Sequence, residues 1–329
     1  MRKPIVVVGS VNLDLVGCMD RIPAVGETVT GSRFELFHGG KGANQAVAAA
    51  RLRYPVSMVA KVGDDQFGVR LRQGLRSAGV DVRAVRVAKR ISSGVALIST
   101  DTRGQNSIVV IPGANGKLLP TDLENSVSVL RSAGIILTQL EIPWETVECL
   151  AALAQRFDIP LMLDPAPARP IPDDLIQKIT FLTPNETETS VICGIRTKDL
   201  SPSTAPEIAR TLLGRGLQNV VIKMGSRGAY AATSVDSGAF VPAFKVAAVD
   251  STAAGDAFNG GLAVALMKGQ SFLTAIRFGS AVAALSVTRM GAQPSMPSAR
   301  EVNRFLKSGV RASLGHAVPD TELASSVEH

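Results

Sequence analysis

The sequence predicts an α/β fold: a doubly wound, mostly parallel sheet with helices on both faces, carrying a small β-sheet lid. Short apolar runs bounded by glycine or proline recur along the chain, as buried parallel strands require. Helical patterns alternate with these runs, which is how crossover units build a parallel sheet covered on both faces. Two further stretches break the rhythm and alternate polar with apolar residues, as half-exposed antiparallel strands do.

Residues 5–17, IVVVGSVNLDLVG, open with the first apolar run, and residues 28–38, TVTGSRFELFH, form the first alternating stretch. A helix follows in GANQAVAAARLR, then a strand in VSMVAKVG and a helix in FGVRLRQGLRSAG. Residues 81–111 are the second alternating stretch, and with the first they predict lid strands from about 10–38 and 81–112. TDLENSVSVLRSA reads as a helix, GIILTQLE as a strand, WETVECLAALAQRF as a helix, and IPLMLDPA and ITFLTPN as strands. EIARTLLGRG, NVVIKMG and GDAFNGGLAVALMKG complete the pattern as helix, strand and helix. One α/β domain is expected over residues 1–308, and the polar, aperiodic residues 309–329 are expected to be a loosely ordered tail whose last residues could remain from an affinity tag.

Composition limits the function. With 46% hydrophobic and 19% charged residues, 30 glycines and 18 prolines, the 329-residue chain has the balance of a globular protein rich in small-residue helices. No apolar run reaches the ~18 residues that span a bilayer, and MRKPIVVVGSVNLD turns polar too soon for a signal peptide, so no membrane partner and a cytoplasmic location are expected. Cys18, Cys149 and Cys193 are odd in number and widely spaced, so neither a disulfide framework nor a zinc knuckle is suggested. His38, His316 and His329 are too few and too scattered for a histidine metal site. The net charge of +7 is spread over helices without interleaved aromatics, so a basic surface that tolerates anionic small molecules is expected, not a nucleic-acid partner.

Five stretches carry chemistry. In DSTAAGDAFNGG, residues 250–261, Asp256 falls in the first turn of a helix, where a carboxylate can cap the positive helix end. The same helix end is a site for a phosphate or other anion, so an acid there requires a role beside an anion. HGGKGANQAVAAA, residues 38–50, sends three glycines and Lys41 into a small-residue helix. It reads either as a tight turn or as a loop whose backbone N–H groups approach a ligand, and it matches neither a Walker A loop nor the dinucleotide fingerprint, because Gln45 stands where the third glycine would be. GSVNLD, residues 9–14, lies at a strand end and places Asn12 and Asp14 on one side of an extended chain, suited to hydroxyl-rich ligands or to a turn. TPNETE, residues 183–188, holds Asn185 and Glu188 three apart, either as a cap or as oxygen ligands suited to magnesium. IKMGSRGAY, residues 222–230, reads as a hairpin turn or as a surface over which a nucleotide lies. Together these are the parts needed to move a phosphoryl group onto an alcohol, a reaction of positioning and charge neutralisation in which one acid accepts the hydroxyl proton.

On GGKGANQAVAAA, DPAPAR, TPNETE, GSRG, AVDSTAAGDAFNG and TRMGAQPS, residues 5–306 resemble the ribokinase-like (PfkB-type) carbohydrate kinases. The resemblance implies a β-sheet lid that doubles as a homodimer interface and ATP-dependent phosphorylation of D-ribose at its 5-hydroxyl. It implies Asp256 as general base, with Ala253, Ala254 and Gly255 completing the anion hole, and Asn12, Asp14, Gly40, Lys41, Asn44 and Glu141 on the sugar. It puts Asn185, Lys223, Gly225, Ser226 and Gly228 around the nucleotide with Gly255 and Ser280, and Glu188 on Mg2+ through water. It also implies a K+ ion at Asp250, Thr252, Ser286, Arg289, Gly291 and Ser295. Ser280 stands where a histidine or asparagine is often found beside adenine, residues 51–57 replace a commonly glycine-bearing turn, and Asp164 stands where asparagine is frequent. None of these departures is expected to touch the sugar-binding or catalytic set. A kinase of the same family acting on deoxyribose, another sugar or a nucleoside is the alternative. A non-catalytic sensor is disfavoured because base and anion hole are both present, and a nicotinamide dehydrogenase because its glycine fingerprint is missing.

Overall fold

A computed structural model describes residues 2–234 and 237–308, so the expected tail at 309–329 lies outside the described residues. Among the described residues thirteen strands form two sheets. The large one has nine: β1 (Ile5–Val8), β4 (Val56–Gly63), β5 (Val85–Ala88), β8 (Ile135–Gln139), β9 (Leu161–Asp164), β10 (Phe181–Leu182), β11 (Asn219–Lys223), β12 (Ala229–Ser234) and β13 (Ser237–Val241). The small one has β2 (Asn12–Met19), β3 (Arg33–Gly39), β6 (Gly94–Asp101) and β7 (Asn106–Ile111), in the order β3-β2-β6-β7. The helices are α1 (Lys41–Arg51), α2 (Gln66–Ser77), α3 (Pro120–Glu124), α4 (Val127–Ser132), α5 (Trp144–Arg156), α6 (Asp173–Ile176), α7 (Glu186–Cys193), α8 (Ala205–Gly214), α9 (Ala254–Met267), α10 (Phe272–Ser286), α11 (Ala292–Ser295) and α12 (Ala299–Lys307).

The large sheet runs β13-β12-β11-β10-β9-β8-β1-β4-β5, parallel from β11 to β5 and antiparallel at β12 and β13. Both faces are covered, and β1 shows how: Ile5 and Val7 enter the apolar core shared with α1, α2, α9 and α10, while Val6 and Val8 enter the core shared with α5 and α8. Period-two alternation sends a continuous apolar run into two cores at once. Later strands are added on opposite sides of β1, β4 on one and β8 on the other, so their connections diverge there and open a crevice at the carboxyl ends.

The first apolar run ends at Val8, the chain turns through Gly9-Ser10-Val11, and Asn12–Met19 becomes a strand of the small sheet, parallel to β6 and antiparallel to β3, in keeping with lid strands from about residue 10. Two expectations are corrected. Residues 81–112 divide, because Val85–Ala88 pairs with β4 at the edge of the large sheet and only β6 and β7 join the lid. TDLENSVSVLRSA is broken at Asn125-Ser126 into the short helices α3 and α4.

Candidate active site

Helix α9 begins on Ala253, which adopts the left-handed region at φ 60°, and the turn directs the first N–H groups out of the helix. The Ala254 N–H bonds back to the Ser251 carbonyl at 3.2 Å, while among the described residues those of Gly255 and Asp256 find no acceptor. Free N–H groups at the positive end of a helix of 14 residues can accept an anion, as the expected anion hole requires.

Asp256 is in this first turn but makes no cap bond. Its buried carboxylate instead accepts from Asn44 Nδ2 at 3.0 Å and from Gln45 Nε2 at 3.1 Å, both on α1. The two helices touch through small residues: a Cβ on Gly260 of α9 would lie 2.7 Å from the Ala48 Cβ of α1. Burial, chiefly, pushes Asp256 up to about 7, with the Lys41 ammonium opposing and the Asp164 charge assisting. The carboxylate thus spends its hydrogen bonds on α1, not on the backbone of its own helix, and its pKa is raised toward neutrality, as suits a base.

Around it the residues expected on the sugar converge. Gly40 opens α1 at φ 87°, where L side chains are strained and where a Cβ would press on the Asn12 backbone N at 2.7 Å. The Lys41 N–H donates to Glu141 Oε2 at 3.1 Å, and Ser10 Oγ donates to the same oxygen at 2.5 Å. Burial opposes the charge of Lys41, but Asp256, Asp164, Glu141 and Glu188 together outweigh it and push its pKa up. On β2, Asp14 lies over Gly39, where a side chain would collide with its carboxylate. Burial, then Glu141 and Asp256, raise it to about 7. Asn12 is fixed by Asn115, whose Nδ2 donates to Asn12 Oδ1 at 2.6 Å.

A cavity of about 730 Å³ runs from Lys41 and Asp256 past Gly255 to Asn185, Glu188, Lys223, Gly225, Ser226, Gly228 and Ser280. Every residue expected on the nucleotide lines it. At its polar end Asn185 caps α7: its Oδ1 accepts from the Glu188 N–H at 2.9 Å, and Glu188 accepts from Asn185 N at 2.7 Å and Nδ2 at 2.8 Å. The capping reading thus holds, and each Glu188 oxygen, engaged once, keeps a lone pair for a metal-bound water. Burial and the Asp164 charge raise its pKa against Lys223. This buried, histidine-free oxygen set fits magnesium. Beyond it, β11 and β12 form the expected hairpin, with a turn at Gly225–Arg227. The far wall is apolar, from Phe244, Val246, Ala283, Ala284 and Val287.

The loops expected to hold potassium meet behind α9. Asp250 accepts from Thr252 N at 2.9 Å and Gly291 N at 2.8 Å, and the N–H groups of Val249 and Asp250 both reach the Val287 carbonyl. Ser286 and Ser295 donate their hydroxyl protons to the Ala283 and Ala292 carbonyls, leaving hydroxyl oxygens free to face a cation. Arg289, by contrast, sends its guanidinium to Glu301 at 2.5 Å, so only its backbone is available there.

One departure was misjudged in the sequence: Asp164 does touch the catalytic set. It ends β9, is buried, pairs with Lys223 Nζ at 3.0 Å and accepts from Gln45 Nε2 at 3.0 Å, one amide away from Asp256. Asn115, Gln45 and Gln139 were also missed. The position of Asp164 at the carboxyl end of a parallel strand was a usable signal. A glutamine on the inner face of GANQAVAAA was another, since buried amides need partners.

Residues 2–299 match the profile of the pfkB family carbohydrate kinases. The chain is 41% identical to a ribokinase of Bacillus subtilis over 92% of this chain and 99% of that one. It is 38% identical to a deoxyribokinase of Salmonella typhimurium, over 92% and 98%. The solved structure of Arabidopsis thaliana ribokinase complexed with ribose and ATP superposes with a TM-score of 0.87 at 35% identity, covering 93% of this chain and 99% of the other.

Proposed function

The chain belongs to the pfkB family of carbohydrate kinases, and from that membership we propose that it transfers the terminal phosphoryl group of ATP to the 5-hydroxyl of D-ribose, giving ribose 5-phosphate and ADP. The observation that carries this reading is the Asp256 carboxylate, uncapped and tuned to about 7, beside the free N–H groups of Gly255 and Asp256 and at the junction of a hydroxyl-binding cluster with a nucleotide-sized cavity.

Asp14 and Asn12 hold sugar hydroxyls, with Lys41, Asn44 and Glu141 completing the pocket, so that the 5-hydroxyl faces Asp256. Asp256 accepts its proton as the oxygen attacks phosphorus, and the Gly255 and Asp256 N–H groups hold the developing charge on the transferred group. Lys223, close enough that a Cβ on Gly255 would lie 3.3 Å from its Nζ, adds a cation at the same place. Glu188 would hold magnesium through water, which would supply neutralisation of phosphate charge. The Asp250–Thr252 and Ser286–Ser295 loops would hold potassium, which would supply a positive charge that stiffens the approach to α9. Gly225, Ser226, Gly228 and Ser280 flank the nucleotide.

The lid carries the dimer. Every residue of β7 is exposed: Val109 and Ile111 share one face of the small sheet with Leu97 and Phe34, Ile108 and Val110 lie on the other, and β7 itself is an open edge, which a second copy would cover. A monomeric mass at micromolar concentration would remove this part. A protein that consumes ATP and a free sugar belongs in the cytoplasm. ADP release measured across ribose, deoxyribose, fructose and adenosine tests the acceptor: ribose is expected to give the highest kcat/KM, and a preference for deoxyribose, the alternative favoured by the 38% likeness to a deoxyribokinase, would overturn it.

A further inference from the structure

Gln45 is 1% exposed on α1 and its amide is completely committed. Its Oε1 accepts from Gln139 Nε2 at 2.7 Å, and its Nε2 donates to Asp256 Oδ1 at 3.1 Å and to Asp164 Oδ2 at 3.0 Å. The opposite orientation would set a carbonyl oxygen against two carboxylates, so the network fixes which way the amide faces. Gln139, at the end of β8 and fully buried, is in turn confined by Gly9, where any side chain would collide with the Gln139 amide. A chain of contacts thus runs from the β1–β8 switch point through two locked amides to the carboxylate.

We propose that Gln45 is a positioning residue of the phosphoryl transfer: one amide group, held from behind by Gln139, fixes the rotamer of Asp256 and separates it from Asp164. The inference rests on Asp256 acting as the base. An amide NH2 has two hydrogens and spends one on each acid, so neither carboxylate can rotate toward the other or toward Lys41 without losing a buried bond. The Gln45 and Asn44 bonds favour the ionised form of Asp256, against its burial and the Asp164 charge. The charged groups facing Asp256 are Lys41 from α1 and Asp164 from β9, with Asp14 from β2 near enough that Asp256 raises its pKa.

The test compares Gln45→Leu and Gln139→Leu with wild type and Asp256→Asn, reading kcat, the KM for ribose, ATP binding and kcat/KM against pH. Gln45→Leu is expected to lower kcat about tenfold to a hundredfold while the ribose KM and ATP affinity move less than about threefold. Its rate at pH 6 relative to pH 8 is expected to fall below the wild-type ratio, because the lost bond favoured the ionised acid. Gln139→Leu, outside the site, is expected to shift kcat and the pH ratio in the same direction by less, and it decides the question if Gln45→Leu does not fold. A Gln45→Leu or, failing that, Gln139→Leu enzyme with wild-type kcat and pH profile overturns the proposal, as does loss of stability alone. If Asp256→Asn keeps its activity in the same assay, the base reading has failed instead.

Discussion

Asp256→Asn separates the two things a buried carboxylate does, since the change keeps shape and removes charge. Asn44 and Gln45 both donate to the present carboxylate, and an amide oxygen can still accept one of those bonds. The proton acceptor is lost, which for a general base costs about 10² to 10⁴ in rate, roughly 3 to 5 kcal/mol of transition-state stabilisation. Stability moves the other way. The pKa rises from 3.8 to about 7, a shift of about three units or about 4 kcal/mol that favours the protonated form in the folded state. Because the native state binds the proton more tightly than the unfolded chain, this acid stabilises the fold fully below pH 4 and loses that contribution as pH climbs toward 7. Between pH 5 and 8 the wild type therefore loses roughly 2 to 3 kcal/mol that the asparagine variant keeps. Lys41 loses one counter-charge but retains Asp164, Glu141 and Glu188. The expected variant is folded, binds ATP and ribose, melts at or a few degrees above wild type at pH 8 with the difference shrinking at pH 5, and has kcat reduced at least about a hundredfold. Coupled ADP release and thermal unfolding at the two pH values measure this. A kcat within about threefold of wild type would refute the reasoning.

Asp14→Ala is expected to lower kcat/KM for ribose about tenfold or more while the KM for ATP stays put, since sugar hydroxyls lose a buried acceptor at about 1 to 3 kcal/mol; an unchanged ribose KM and kcat would take Asp14 out of the site. The wild-type kcat/KM should fall with acid from about pH 7, where Asp14 and Asp256 take up protons, and a profile flat down to pH 5 would contradict that environment. Gly42→Ala should cost roughly 1 to 3 kcal/mol and lower kcat, because its Cβ would lie 2.8 Å from the Gly9 and Ser10 backbone, forcing α1 and its Lys41, Asn44 and Gln45 away from the crevice; wild-type melting and turnover would show that α1 has room to spare. A chelator should abolish turnover, and replacing potassium by sodium should lower it, so full activity under either condition would count against the Glu188 or the Asp250 assignment respectively.

The alternation of apolar runs with helical patterns was enough to read the doubly wound sheet, because burial of both sheet faces imposes it residue by residue, as Val6 and Val7 of β1 entering opposite cores illustrate. The glycines and acids of the ligand loops were legible for the same reason: a backbone that must approach an anion or turn at φ 87° restricts its residue types locally. Tertiary structure alone decided the rest. Val85–Ala88 went to the edge of the large sheet beside β4 although its own pattern matched the lid. Whether Asp256 capped its helix or faced α1 depended on Gly260 letting α9 approach Ala48, some 200 residues away in sequence. Asp164 looked peripheral beside a proline, yet it shares the Gln45 amide with Asp256. The pKa of a carboxylate and the orientation of an amide are set by groups brought together from distant segments, so no local pattern in the chain can carry them.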